Sequence, residues 1–124
     1  MKIIEAINAI DALKPNGFSQ MEKIRWLSTL DGIIKKEILD VHEGGEEASF
    51  VPYDETTAAD TQLLASEPYG PDLYVKYLEN QIDYYNGETE KYNNSLLMYQ
   101  SAYLAFARWY SRSHRPLGQK RKYW

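Results

Sequence analysis

Apolar residues return every three or four positions through most of this chain, the period of a helix with one buried face. Ile3, Ile4, Ile7, Ile10 and Leu13 form the first set, with Lys2, Glu5, Asn8 and Asp11 opposite, which predicts a helix over residues 2 to 13. Lys14-Pro15-Asn16-Gly17 stops it. Ser19-Gln20-Met21-Glu22 is a capping-box pattern, in which the Ser19 hydroxyl accepts from the Glu22 amide while the Glu22 carboxylate reaches back. A second helix over about residues 20 to 42 follows, with Ile24, Leu27, Leu30 or Asp31, Ile34, Ile38 and Val41 on one stripe, widened by Trp26 and Ile33. Gly44-Gly45 supplies its stop. Gly32 in its interior costs about 1 kcal/mol relative to Ala, so a neighbouring backbone is expected to approach there.

The period is lost from residue 43 to residue 71, a stretch that holds Pro52, Pro68 and Pro71 and seven carboxylates without a base. Two segments in it, Ser49-Phe50-Val51 and Thr61-Gln62-Leu63-Leu64, could pair as a short β-hairpin. A connection this long inside a compact domain is either a loosely ordered acidic loop or an assembly or binding loop. Pro71 then suits the first turn of a third helix, and Asp72 suits the same positive end. From there Leu78, Ile82, Tyr85, Tyr92, Leu96, Tyr99, Tyr103, Phe106 and Tyr110 alternate spacings of four and three once Thr89 is counted. Asn86-Gly87 interrupts this stripe with two residues that tolerate the left-handed conformation. The expectation is two helices, about residues 72 to 86 and 88 to 113, with a single kinked helix as the rival reading. Pro116-Leu117-Gly118 ends the periodic region.

The predicted architecture is therefore all-α: a small bundle of about four helices forming a single domain over residues 1 to 115, a long irregular acidic loop between the second and third helices, and a basic aromatic C-terminal tail over 116 to 124. At 124 residues and 14.4 kDa, such a domain buries roughly two thirds of the surface of its unfolded chain. Without cysteine there is neither a disulfide framework nor a thiolate metal site, so packing must supply the stability. No apolar stretch approaches the roughly 20 residues needed to span a bilayer, and Met1-Lys2-Ile3-Ile4-Glu5 lacks the character of a targeting segment. The expectation is a protein made and used inside a cell, with no membrane partner.

Charge changes the picture most. Residues 1 to 90 hold 18 Asp/Glu against seven Lys/Arg, a balance of −11, whereas residues 91 to 124 hold seven Lys/Arg and no carboxylate. A block of like charge gains little from folding on itself and much from an anionic surface. Arg108, Arg112 and Arg115 recur at intervals of four and three, on one expected helical face with Trp109 nearby, before Lys120, Arg121, Lys122 and Trp124. These eight residues are the candidate partner-binding set, for an acidic protein surface or for nucleic-acid phosphate. Glu46, Glu47, Asp54, Glu55 and Asp60 are the candidate acidic loop residues. The Tyr stripe reads either as a core face or as a face shared with another subunit, since Tyr74, Tyr77, Tyr84 and Trp109 fall off it and would leave aromatic surface exposed.

Catalytic patterns are weak. The chain has no glycine-rich phosphate loop, no Ser/His/Asp arrangement of recognisable spacing and no His-x-x-x-His pair, so no cofactor, metal or enzymatic activity is expected. His42 and His114 each fall near a predicted helix C-terminus, where an imidazole complements the dipole. The adjacent carboxylates Glu46-Glu47 and Asp54-Glu55 read as a solvated charge run.

Glu22-Lys23-Ile24-Arg25-Trp26-Leu27 followed by Asp31 and Ile34, Pro68-Tyr69 leading into Leu73-Tyr74, and Tyr84-Tyr85-Asn86-Gly87-Glu88 with Tyr92-Asn93-Asn94 together carry a resemblance. Across most of residues 19 to 115 the chain resembles the head-tail connector (adaptor, or head-completion) proteins of tailed bacteriophages and prophages. That resemblance implies a structural virion protein, monomeric when isolated, that forms a homo-oligomeric ring beneath the portal, helps close the DNA channel and attaches the tail. It would be found in the virion, and in the host bacterial cytoplasm during assembly. The acidic loop would face passing duplex DNA and repel its phosphates, while the basic tail would anchor on the portal or on another head or tail protein. The family has no fixed active-site residues to carry over. A small nucleic-acid-binding or regulatory protein that uses the basic C-terminal helix face is the alternative.

Overall fold

The structure, a computed structural model, describes residues 1–117. Four helices form it: α1 (Ile3–Leu13), α2 (Gln20–Glu37), α3 (Gly70–Tyr85) and α4 (Thr89–Ser113), with single 3₁₀ turns at Leu39–Val41 and Gly45–Glu47. The protein is all-α, and among the described residues there is no strand. No described helix is long and apolar enough to cross a membrane.

Each helix boundary has a local cause. At α2 the Glu22 amide donates to Ser19 Oγ at 3.1 Å while the Ser19 amide reaches Glu22 Oε1 at 3.5 Å, so the capping box forms as its sequence predicts. Asn16 ends the α1 connection by donating to the Lys14 carbonyl and to Asp11 Oδ1, each at 3.0 Å. Pro71 stands in the first turn of α3. Gly70 beside it is obligatory, because a Cβ there would run into the Ala65 carbonyl. Asn86-Gly87 ends α3, with Gly87 at φ +70°, and the chain reverses into α4 as a helical hairpin. The in-phase Tyr stripe therefore spans two antiparallel helices rather than one kinked rod.

α2 is shorter than the predicted 20 to 42. It ends at Glu37; Ile38 still donates to the Ile34 carbonyl at 2.9 Å, and the chain then tightens into the 3₁₀ turn Leu39–Val41. His42 accounts for the change: its ring nitrogen Nδ1 donates to the Ile38 carbonyl at 2.6 Å, taking an acceptor that a continuing helix would have used. The ring is buried, with Nε2 accepting from the Ser111 hydroxyl at 3.0 Å and its plane edge-on to Tyr110. The expectation that His42 merely complements a helix dipole is replaced by a buried link between the end of α2 and the end of α4.

α3 is the central helix. It packs on α1, on α2 and most extensively on α4, enclosing Leu73, Leu78 and Ile82 with Ile3, Ile10, Leu27, Leu30, Ile34 and Phe106. Each such side chain contributes roughly 1.5–3 kcal/mol by leaving water. Tyr74 and Tyr77, expected to leave aromatic surface exposed, are buried; Tyr77 meets the ring of Tyr99 on α4 at 5.1 Å. The apolar stripe of a helix sandwiched on three sides is wider than the single heptad seam used to place them. Tyr85, expected on the buried stripe, is exposed, and lies flat on Trp26 with ring centroids 5.5 Å apart. The close approach at Gly32 is made by a side chain, since a Cβ there would sit 3.7 Å from the Phe50 ring.

The segment between α2 and α3 does not form the Ser49–Val51/Thr61–Leu64 hairpin. Gln62 bridges instead to Lys2, the Leu63 amide donates to the Met1 carbonyl at 2.9 Å, and the amides of Ile3 and Ile4 donate to the Thr61 and Ala59 carbonyls at 3.0 and 2.9 Å. The loop thereby caps the first turn of α1, whose amides have no partner within their own helix. That outlet satisfies the loop's backbone better than pairing with the short Ser49–Val51 segment would.

Candidate functional site

The predicted basic face is partly broken by the helix end. Arg108 and Arg112 lie exposed on α4, but α4 stops at Ser113 and Arg115 sits beyond it in extended chain. Among the described residues none of these three arginines makes an ion pair; the pairs found are Lys14–Asp83, Lys23–Asp11, Lys35–Asp40 and Lys91–Glu88. Trp109 is half-buried among Tyr69, Phe106 and Tyr110, with centroids 6.0, 5.9 and 6.3 Å away. Lys120, Arg121, Lys122 and Trp124 lie outside the described residues.

All five acidic loop candidates are exposed, in two separate segments. Glu46 and Glu47 form the second 3₁₀ turn, where the Glu46 carbonyl accepts from the Lys35 ammonium at 3.2 Å. Asp54 builds a turn: its Oδ1 accepts from the Thr56 hydroxyl at 2.6 Å and the Thr56 amide at 2.8 Å, which hold its carboxyl below the usual range. Glu55 and Asp60 follow on the same excursion. The described residues contain no cluster of three His, Cys, Asp or Glu side chains able to hold a metal.

Sequence reasoning missed the group that fixes this loop. Asp31, fully buried on α2, accepts at Oδ2 from the Tyr53 hydroxyl at 2.5 Å and the Leu64 amide at 3.1 Å, and at Oδ1 from the Tyr74 hydroxyl at 2.5 Å. The Tyr74 oxygen in turn accepts from the Ala65 amide at 2.6 Å. Burial pushes the Asp31 carboxyl upward against the opposing pull of its three donors. The phenols of Tyr53 and Tyr74 are pushed up as well, first by their own burial and then by the adjacent carboxylate. One carboxyl thus ties α2, α3 and both sides of the loop together, and with no solvent access it acts as a clamp rather than a reactive acid. A visible signal existed: a carboxylate in phase with Leu27 and Ile34 on an apolar stripe requires partners.

The Tyr stripe on α4 faces two ways. Tyr99 leans on Tyr77 of α3, and Tyr103 donates its hydroxyl to Glu37 of α2 at 2.6 Å. Burial pushes Tyr77 up to about 12. Between α2 and α4 lies an open groove of about 510 Å³ lined by Ile33, Glu37, Tyr99, Gln100, Tyr103 and Leu104. Further out on α4, Leu97 and Leu104 are 63% and 49% exposed, so an aliphatic strip runs along the helix towards Arg108. That strip and the groove beside it are the candidate functional surface.

No protein-family model, curated protein or solved structure matches this chain.

Proposed function

We propose that this protein is a non-enzymatic assembly component, a head-tail connector of the kind its sequence resembles, which joins a ring beneath a phage portal, helps close the DNA channel and receives the tail. The observation that carries the reading is the outer side of α4, where exposed Leu97 and Leu104 precede Arg108 and Arg112 on one helix. Aliphatic surface edged by arginine suits a protein partner, because Arg combines an apolar plane with charge and is enriched at interfaces. The exposed acids Glu46, Glu47, Asp54, Glu55 and Asp60 would line the side past which DNA slides, repelling its phosphates.

The test is reconstitution with the portal protein encoded in the same genome, followed by electron microscopy and mass measurement. Ring-shaped density on the portal is expected, and Leu97→Asp with Leu104→Asp should abolish it. A protein that remains monomeric at high concentration with portal present overturns the proposal.

The alternative, a nucleic-acid-binding or regulatory protein, draws on Arg108, Arg112 and Arg115 having no carboxylate partner among the described residues. If about six phosphates are contacted, affinity for duplex DNA should fall about a thousandfold between 50 and 200 mM salt. Undetectable binding at low salt removes this reading.

A further inference from the structure

One stripe of α4 is turned away from the rest of the protomer. Glu90, Asn94, Leu97, Ser101, Leu104 and Arg108 follow one another at steps of four and three, the spacing that keeps side chains on one helical face, and all six are exposed. Arg112, four residues further on and also exposed, continues the row. Phe106 and Tyr110 hold the opposite face of the helix in the core, so the register of α4 itself keeps this stripe in water.

The stripe complements itself when it is reversed. Ser101 stands at its middle: Leu97 and Leu104 lie four residues before and three after, Asn94 and Arg108 seven to either side, Glu90 and Arg112 eleven to either side. A second copy laid antiparallel on it, with a two-fold axis at Ser101, brings Leu97 of each chain to Leu104 of the other and Glu90 to Arg112. The small Ser101 side chain at the crossing lets the two helices approach closely.

Charge selects the direction. Parallel pairing in register would set Arg108 and Arg112 against their own counterparts and Glu90 against its own, whereas the antiparallel arrangement lays the acidic start of one stripe on the basic end of the other and opposes the two helix dipoles. Glu90, Arg108 and Arg112 have no ionic partner among the described residues of the protomer, while Lys91, off the stripe, pairs with Glu88.

We infer that the outer stripe of α4 is a self-association surface, on which a second copy of this chain lies antiparallel about a two-fold axis near Ser101, with Leu97 against Leu104 and Glu90 against Arg112. The isolated protein is then a dimer at high concentration, in place of the monomer that the resemblance implies. Seven residues a side is well short of the roughly 20–30 of a standard interface, so the pair is expected to form only above micromolar concentration. The inference shares with the connector reading the premise that this face meets protein, and the pair would have to open before the same strip met a portal or a ring neighbour.

The test is sedimentation equilibrium of the full chain from about 1 µM to about 1 mM. A monomer–dimer equilibrium is expected. Leu97→Asp with Leu104→Asp, both at exposed positions that leave the core intact, should weaken it about tenfold or more. Arg112→Glu should weaken it about threefold, and adding Glu90→Arg to that variant should restore it. Disulfide trapping reads the orientation, since the chain has no cysteine of its own. Ser101→Cys should join two copies on oxidation, and in a mixture Glu90→Cys should join Arg112→Cys more readily than either joins itself. A protein monomeric throughout the range, a dimer indifferent to the paired leucine substitutions, or Glu90→Cys joining itself in preference overturns the inference. A chain that is monomeric alone yet forms rings on the portal also overturns it, and leaves the connector reading standing.

Discussion

α3 and α4 are two arms of one hairpin, yet α3 buries eight of its 16 residues and α4 four of its 25. Neighbours, not residue type, make the difference. α3 is enclosed by α1, α2 and α4, so even its polar Asn80 and Asp83 are buried, Asn80 donating to Ser95 Oγ at 3.1 Å and Asp83 paired with Lys14. α4 packs mainly on α3, touches the end of α2 through Tyr103, Tyr110 and Ser111, and leaves Leu97, Leu104, Arg108 and Arg112 on its outer side. A helix so rich in large side chains keeps an apolar strip in water on that side. The contrast teaches that burial, and with it most of the stability, is concentrated in one arm of the hairpin, while the other arm holds most of the exposed large side chains.

The sharpest way to break the enclosed side is Asp31→Ala. Two phenols and the Leu64 amide would lose their common acceptor in a buried site, at a cost of about 3–5 kcal/mol. Urea denaturation should show this loss, and hydrogen exchange should show the amides of Leu64 and Ala65 losing protection before those of α3. Phe106→Ala, at the fully buried contact where α4 meets the core, should cost a similar 3–5 kcal/mol. If either substitution costs less than about 1 kcal/mol, the division between the two arms is wrong.

Tyr99→Ala sits on the boundary between the arms. The ring is half-buried and touches Tyr77, so its loss should cost about 1–2 kcal/mol in the isolated protein, well short of a core deletion. A cost near that of Phe106→Ala would move the boundary outward and turn the groove wall into core.

A gentler probe of the enclosed side is pH. Burial raises the Asp31 carboxyl in the folded state, so between its ordinary value of about 3.9 and the raised folded value the folded protein binds more protons than the unfolded chain. The contribution of this group is therefore fully present below about 3.9 and declines as pH rises through the folded value. Asp11 acts in the opposite sense, since its bond to Lys23 lowers its carboxyl and its contribution is lost as pH falls. Urea midpoints of the wild type and of Asp31→Asn, compared across pH, remove the second effect by subtraction. The wild type should lose ground relative to the Asn variant as pH rises; a gain would mean that the three donors outweigh burial.

How much of this was legible along the chain follows from range. α1, the Ser19 capping box, the Pro71 start and the four-helix, all-α outline rest on neighbours within one or two turns, and local pattern reads them. The end of α2 did not read correctly, because it depends on His42 turning back on Ile38 while bonded to Ser111, 69 residues away. The clamp lay further beyond local pattern: Tyr53 and Tyr74 stand 22 and 43 residues from Asp31, and period analysis pairs no such positions. Among the candidate site residues, the exposure of Arg108 and Arg112 could be read from helical phase. The position of Arg115 beyond the helix was legible as well, since the helix was expected to end at about 113 and Pro116 disfavours helical geometry at the residue before it; only the pairing of Pro116 with His42 was out of local reach.

The smallest effect is the most telling for the open arm. Leu97 is 63% exposed and Leu104 49%, so each truncated to Ala should change the stability of the isolated protein by no more than about 0.5 kcal/mol. Neither removes a buried group or a cap, and both lie on a helix whose register is fixed by Phe106 and Tyr110 on the other face. If the open arm is a partner surface, the same two substitutions should weaken assembly with the partner tenfold or more, since an aliphatic anchor at the centre of an interface commonly contributes above 1 kcal/mol. Silence in the isolated protein together with a large loss in assembly would separate the two arms by function as cleanly as burial separates them by structure. Silence in both experiments would leave the aliphatic strip, and the groove rim that Leu104 shares with it, as ordinary surface and move the search for the partner site to Arg108 and Arg112.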